Sequence, residues 1–160
     1  FYMECICDES CGKCSPCRIG TKRMLEILTR ITEGNGTMQD LEELEELGTA
    51  VQANSLCALG QTAANPIIST LKNFRDEYIA HIVDKKCPAK ICKNLMKYVI
   101  VQDNCFGCGM CAKMCPADAI ARTDYTAPGK KLASFQIDPV KCLKCGACIE
   151  TCKFSAIEKQ

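Results

Sequence analysis

At 160 residues the chain has room for one ordinary domain or two small ones, and it brings sixteen cysteines against five Phe and no Trp, too little large apolar bulk for packing alone to hold it together. The formal charge is +1 and the twenty Lys and Arg are scattered along the chain, which excludes the basic stripe of a nucleic-acid binder. No run approaches the twenty or so apolar residues of a membrane span, and no basic-then-apolar leader is present; the expected location is the cytoplasm.

The chain opens on FYMEC, which reads as the middle of a helix with no initiator Met, so a piece of a longer protein is expected. ESCGKCSPCRIGT then supplies Cys11, Cys14 and Cys17. Cysteine at every third residue draws thiolates around a metal centre, whereas disulfide domains spread their cysteines over loops. No fourth cysteine follows three residues later, so a distant ligand is needed.

Residues 21–33 set Met24, Leu25, Leu28 and Ile31 at helical spacing, and Gly34-Asn35-Gly36 stops the helix. Thr37 can cap the next one, where Met38, Leu41, Leu44, Leu47 and Val51 form an apolar stripe. Beside it Asp40, Glu42, Glu43, Glu45 and Glu46 read as a solvated face. Cys57, in SLCALG, falls at a break between two helices and is the candidate for the missing ligand. Asn65-Pro66 starts a third stripe of Ile67, Ile68, Leu71, Phe74, Tyr78 and Ile82. Together these predict a small helical bundle over residues 1–83.

The CxxCxxC run, the SLC cysteine and the turn signals between them resemble the iron–sulfur domain of the NADH-binding flavoprotein subunit of complex I. The resemblance implies that Cys11, Cys14, Cys17 and Cys57 hold one [4Fe–4S] cluster beside a flavin. Lys13 and Arg18 would stand near it, where positive charge favours the more negative reduced state. The FMN and NAD(P) sites of that family would precede Phe1, and the chain has no glycine-rich phosphate loop of its own. By itself it is therefore expected to conduct electrons without catalysing hydride transfer.

Residues 84–98, DKKCPAKICKNLMKY, read as a connector and hinge, with Lys93 to Tyr98 free to swing. His81, Cys87 and Cys92 fall within twelve residues of one another and offer three of the four N and S ligands of a structural zinc site. Cys5 and Cys7 face different directions on the first helix. Cys7 is the expected fourth ligand, because Cys5 shares a face with Phe1 and reads as core.

From Val99 the chain repeats itself at an offset of 37 residues: Ile100 matches Ile137, Cys105 matches Cys142, Gly109 matches Gly146, Cys115 matches Cys152 and Ala119-Ile120 matches Ala156-Ile157. Such a repeat predicts two similar half-units packed together. Cys105, Cys108, Cys111 and Cys115 with Pro116, and Cys142, Cys145, Cys148 and Cys152 with Lys153 in the proline's place, follow the C-x2-C-x2-C-x3-C-P run. In that run three cysteines wrap one cluster and the fourth ligates the other. The expected sets are Cys105, Cys108, Cys111 and Cys152 for one cluster and Cys115, Cys142, Cys145 and Cys148 for the other. Gly107, Gly109 and Gly146 let backbone amides approach the sulfurs. Paired zinc knuckles would not leave an x3 gap.

This segment resembles the two-cluster bacterial ferredoxins, so residues 99–160 are expected to form a ferredoxin-like domain with a pseudo-twofold repeat and the whole chain an α+β protein. Three cubanes with their thiolates would carry about −2 each and bring the total charge to about −5. A complex-I-like cluster domain running into a ferredoxin domain resembles the flavin subunit of NAD(P)-linked, electron-bifurcating iron-only hydrogenases of anaerobes. Related formate dehydrogenases look similar. The resemblance implies a hydrogenase catalytic subunit, a small [2Fe–2S] subunit and soluble ferredoxin as partners. A free-standing ferredoxin-like carrier with a helical docking domain is the alternative.

Overall fold

The computed structural model describes residues Phe1–Gln160, which form two compact units, Phe1–Leu95 and Met96–Gln160. The first contains six helices: α1 (Tyr2–Glu9), α2 (Ser15–Thr32), α3 (Met38–Asn54), α4 (Ala58–Ala63), α5 (Asn65–Asn73) and α6 (Arg75–Ile82). Their apolar faces meet in one core of Met3, Met24, Ile27, Ile31, Leu41, Leu44, Val51, Ala64, Ile67, Leu71 and Ile82. α2 and α3 approach so closely that a β-carbon on Gly20 would come within 2.2 Å of Val51 Cγ2.

Thr37 caps α3 with a reciprocal pair of bonds: Asp40 accepts from the Thr37 backbone N–H while the Thr37 side chain accepts from the amide at the third helical position. The Asp40 carboxylate also pairs with Arg30 of α2. Burial pushes the Asp40 carboxyl up, but the Thr37 amide and Arg30 outweigh it and hold the group below its ordinary value. Asp40 thus leaves the exposed acidic face formed by Glu42, Glu43, Glu45 and Glu46 and ties two helices together. Asp40→Asn is expected to cost about 1–2 kcal/mol, read as a lower unfolding midpoint at neutral pH with cluster absorbance unchanged before the transition.

Three expectations are corrected. The stripe over residues 65–82 is not one helix, because Phe74 adopts φ −132°, ψ 34° and the chain restarts. Asp76 and Glu77 in the first turn of α6 favour that new N-terminus. Cys5 is not in the core with Phe1: both are exposed, Phe1 at 95%, and the residue that α1 buries is Met3. Residues 84–95 belong to the first unit, and Tyr98 is not free to swing, since it opens strand β1 while Lys97 and Gln160 exchange backbone hydrogen bonds of 2.8 Å.

The second unit comprises β1 (Tyr98–Ile100), α7 (Met110–Lys113), β2 (Ile120–Arg122), β3 (Phe135–Ile137), α8 (Ala147–Thr151) and β4 (Ile157–Lys159). β1 pairs antiparallel with β4, Tyr98 opposite Lys159, and β2 pairs with β3, Ile120 opposite Ile137. Each sheet therefore joins the first strand of one repeat to the last strand of the other. Matching bonds extend both sheets: Val101 N–H donates to Ala156 O at 2.8 Å and Asp138 N–H to Ala119 O at 2.7 Å. The core combines Tyr98, Ile100, Ile120, Phe135, Ile137, Ala156 and Ile157 with the thiols of Cys105, Cys111 and Cys148. No helix of the protein is long and apolar enough to cross a membrane.

Candidate metal centres

In the first unit the CxxCxxC run straddles the start of α2. Cys14 is its N-cap, Pro16 lies in the first turn, where its missing N–H costs nothing, and Cys17 is buried one turn in. Gly12 takes φ +71°, and Arg18 Nη1 donates to its carbonyl at 2.9 Å, which fixes the loop. The loop before α4 comes back onto this one. The backbone amide of Leu56 reaches Cys14 and draws its thiol below the ordinary value against the effect of burial. Cys57, the next residue, is exposed at the N-cap of α4.

Two serines accompany these cysteines. Ser10 Oγ lies 3.4 Å from Cys17 Sγ. Ser55 is 5% exposed, and its hydroxyl is the one buried side-chain oxygen or nitrogen without a hydrogen-bond partner. A buried hydroxyl without a well-formed bond costs about 1–3 kcal/mol; this one leans on the Cys14 thiol, which it helps to draw down, and an electron-rich metal–sulfur group there would be a stronger acceptor. The donor set and this hydroxyl fit an iron–sulfur cluster. Sequence reasoning stopped at Cys57 and missed Ser55 two residues earlier.

The second unit holds two small cavities, each lined by four cysteines. One brings together Cys105, Cys108, Cys111 and Cys152; the other brings together Cys115, Cys142, Cys145 and Cys148. Burial together with the charges of Cys105, Cys108 and Cys152 pushes the Cys111 thiol up to about 11. Burial, Cys142 and Cys145 raise Cys148 likewise. Four such thiols ionise together only against a compensating cation, so the sets fit metal-bearing groups. Amides already point at the sulfurs: Ala119 N–H donates to Cys115 Sγ at 3.4 Å and Ala156 N–H to Cys152 Sγ at 3.5 Å. Gly109 and Gly146 start α7 and α8 in the left-handed region, φ +75° and +84°. Any side chain would be strained there.

Tyr98 lines the second of these cavities, and burial with the Cys148, Cys142 and Cys145 charges raises its hydroxyl. Gly107 also takes a positive φ of +71°, and a β-carbon there would meet the Ala133 carbonyl at 2.6 Å.

His81, Cys87 and Cys92 offer ligand atoms within 4.8 Å of one another. The His81 Nε2 to Cys92 Sγ distance is 3.5 Å, and Nδ1 lies 2.7 Å from the Glu77 carbonyl, which orients the ring. Burial pushes the Cys87 thiol up, yet the Cys92 and Ile91 amides and the Cys92 and His81 side chains bring it down to about 7, while burial and the Cys87 charge lift Cys92 to about 11. Cys7 is not with them. Its thiol donates to Thr21 Oγ1 at 3.7 Å, whereas His81 lines a cavity with Ile31 and Thr32, about 15 Å further along α2 at 1.5 Å per residue. Helical phase alone could not show that separation. Exposed Lys13 and Arg18 flank the first loop.

The sequence signature described as the NADH-ubiquinone oxidoreductase-F iron-sulfur binding region matches residues 1–81, and that of the 4Fe-4S dicluster domain matches residues 104–156. Among curated proteins, the NADP-reducing hydrogenase subunit HndC of Solidesulfovibrio fructosivorans is 50% identical over 123 residues, 77% of this chain and 25% of that protein. The F subunit of NADH-quinone oxidoreductase from Streptomyces coelicolor is 46% identical over 87 residues, 54% of this chain and 19% of its own length. Its counterpart in Mycobacterium tuberculosis H37Rv is 45% identical over 88 residues, 55% and 19% respectively. The chain thus spans a quarter or less of the length of these relatives.

Proposed function

The chain belongs to the NADH-ubiquinone oxidoreductase-F iron–sulfur family, and from that premise we propose that it carries electrons through three [4Fe–4S] clusters as part of the flavin subunit of an NAD(P)-linked, electron-bifurcating iron-only hydrogenase. Cys11, Cys14, Cys17 and Cys57 hold the first cluster; Cys105, Cys108, Cys111 and Cys152 hold the second; Cys115, Cys142, Cys145 and Cys148 hold the third. The observation that carries this reading is the pair of cavities, each framed by four thiols drawn from both repeats. Such clusters supply one-electron chemistry when bound. The protein's part is to space the thiolates, aim amides and hydroxyls at sulfur, and exclude water.

In this reading Phe1–Leu95 is a helical-bundle cluster domain and Met96–Gln160 a ferredoxin-like domain whose halves are related by a pseudo-twofold axis. The exchanged strands and the matched bonds at Val101 and Asp138 support the last point. FMN and NAD(P) bind in a part of the whole protein outside these residues, and the partners are a hydrogenase catalytic subunit, a small [2Fe–2S] subunit and soluble ferredoxin. The 123-residue match to the hydrogenase relative exceeds the length of the first unit, whereas the matches of 87 and 88 residues to the NADH-quinone oxidoreductases do not. That favours a hydrogenase over the quinone-linked enzymes. The same module in a formate dehydrogenase would share every feature of this chain.

Iron and acid-labile sulfide analysis of the anaerobically isolated protein should give about twelve of each per chain. Cys57→Ala should lower both by about four, or leave a three-iron centre, with the signals of the other clusters intact. A wild-type content near eight would mean that the first site is empty of iron.

We also propose that His81, Cys87 and Cys92 are ligands of a zinc ion that ties residues 84–95 to α6 within the first unit; Cys7, at the level of Thr21, is not the fourth. Metal analysis should show about one zinc in addition to the iron. His81→Ala combined with Cys92→Ala should abolish it and leave the cluster spectra unchanged. Protein isolated without chelators and found free of zinc would overturn the assignment.

A further inference from the structure

Four lining positions differ between the two halves of the 37-residue repeat, and one of them adds a side-chain hydrogen-bond donor: Tyr98 stands where Phe135 stands in the other half. Both rings are buried, at 8% and 6% exposure, and both are placed alike. The tip carbon of Phe135 lies 3.3 Å from the point a β-carbon on Gly109 would occupy, and the Tyr98 hydroxyl lies 3.4 Å from the equivalent point on Gly146. Around Cys105, Cys108, Cys111 and Cys152 the wall is completed by Phe135, Phe106, Phe154 and other residues that carry no side-chain donor. Phe106 stacks on Phe154 with centroids 5.0 Å apart and 15° between planes, an apolar rim that carries no donor. Around the other quartet the Tyr98 hydroxyl is the only side-chain oxygen or nitrogen in the wall.

We propose that Tyr98 sets the potential of the cluster held by Cys115, Cys142, Cys145 and Cys148, donating its O–H toward that cluster's sulfur and making it the higher-potential member of the pair. The inference rests on the proposed ligation. Reduction adds one negative charge to a cluster, and a hydrogen-bond donor stabilises the more negative state more than the oxidised one. Hydrogen bonds to sulfur and exposure to solvent are the terms that separate clusters of one type. Both halves carry cations, Lys153 next to Cys152 among them. Lys141 and Lys144 belong to the loop of the Tyr98 side. On the other, Arg122 lies over the Phe135 ring at 4.9 Å and Lys130 Nζ donates to the Cys105 carbonyl at 2.9 Å. Electrons entering the unit would therefore come to rest on the Tyr98 side, with the cluster walled by Phe106, Phe135 and Phe154 as the more strongly reducing site.

Redox-poised EPR of the anaerobically isolated protein tests this. Tyr98→Phe should move only the higher of the two midpoints, downward, lowering its reduced-to-oxidised ratio at a fixed potential about tenfold, equivalent to about 59 mV for a one-electron couple. Phe135→Tyr should move only the lower midpoint, upward, and narrow the gap from the other side. Unmoved midpoints in Tyr98→Phe at full iron content, or movement of the lower midpoint instead, would overturn the inference and leave the ligation standing. Iron insufficient for both cubanes in the wild type would remove the ligation and this inference together.

Discussion

Cys152→Ala is expected to destroy the cluster framed by Cys105, Cys108 and Cys111, which lie 41 to 47 residues earlier in the chain, and to spare the one beside it in sequence. Cys115→Ala should do the reverse, damaging the cluster of Cys142, Cys145 and Cys148. The reason lies in the sheets. β1 of the first repeat pairs with β4 of the second, so Ala156 hydrogen-bonds to Val101 and the chain just before it, Cys152, turns into the first repeat's cavity. The same logic carries Cys115 across through β2 and β3. Each variant should lose about four iron, or about one if a three-iron centre survives, and the EPR signal lost should differ between them. Identical signals lost by both variants would argue against two separate crossed sets.

The second large effect is unfolding of Met96–Gln160 when iron is stripped with a chelator under reducing conditions. This unit has strands of three residues and helices of four and five, far too short to persist without tertiary support. Its core is small, and three of its ten buried members are thiols of the candidate ligands. Removing the metal leaves eight thiols crowded around two sites, with those of Cys111 and Cys148 pushed up by burial and their neighbours. Where ligands supply so much of the interior, metal-ligand free energy is folding free energy. Circular dichroism should show loss of the sheet signal in this unit, while the first unit, with its eleven-residue apolar core, keeps most of its helix. Retention of dispersed β-strand resonances in the iron-free protein would show that packing alone suffices.

Much was legible from spacing. Residues three apart share a loop, so Cys11, Cys14 and Cys17 had to lie near one another, as did Cys105, Cys108 and Cys111. The 37-residue offset returned as a structural equivalence of β1 with β3, α7 with α8 and β2 with β4. The capping role of Thr37 was equally plain, because a capping box is a property of four consecutive residues. Less was legible where phase had to be carried along a helix. Asp40 read as one more charge on a solvated face, whereas Arg30 and Thr37 draw it under the surface.

The order of residues alone was enough to set the chemistry on offer: three closely spaced thiol runs, a duplicated half-unit and one histidine beside two spare cysteines. Those are local facts, governed by bond lengths and loop reach. Which distant groups join them was settled by the packing of the folded chain. It laid Leu56 and Ser55 against Cys14, put Cys7 at Thr21 and away from His81, and aimed a tyrosine into one cavity where its counterpart is a phenylalanine. Those outcomes depend on how helices and strands meet across tens of residues, and side-chain packing at that range is written in no single stretch of the chain.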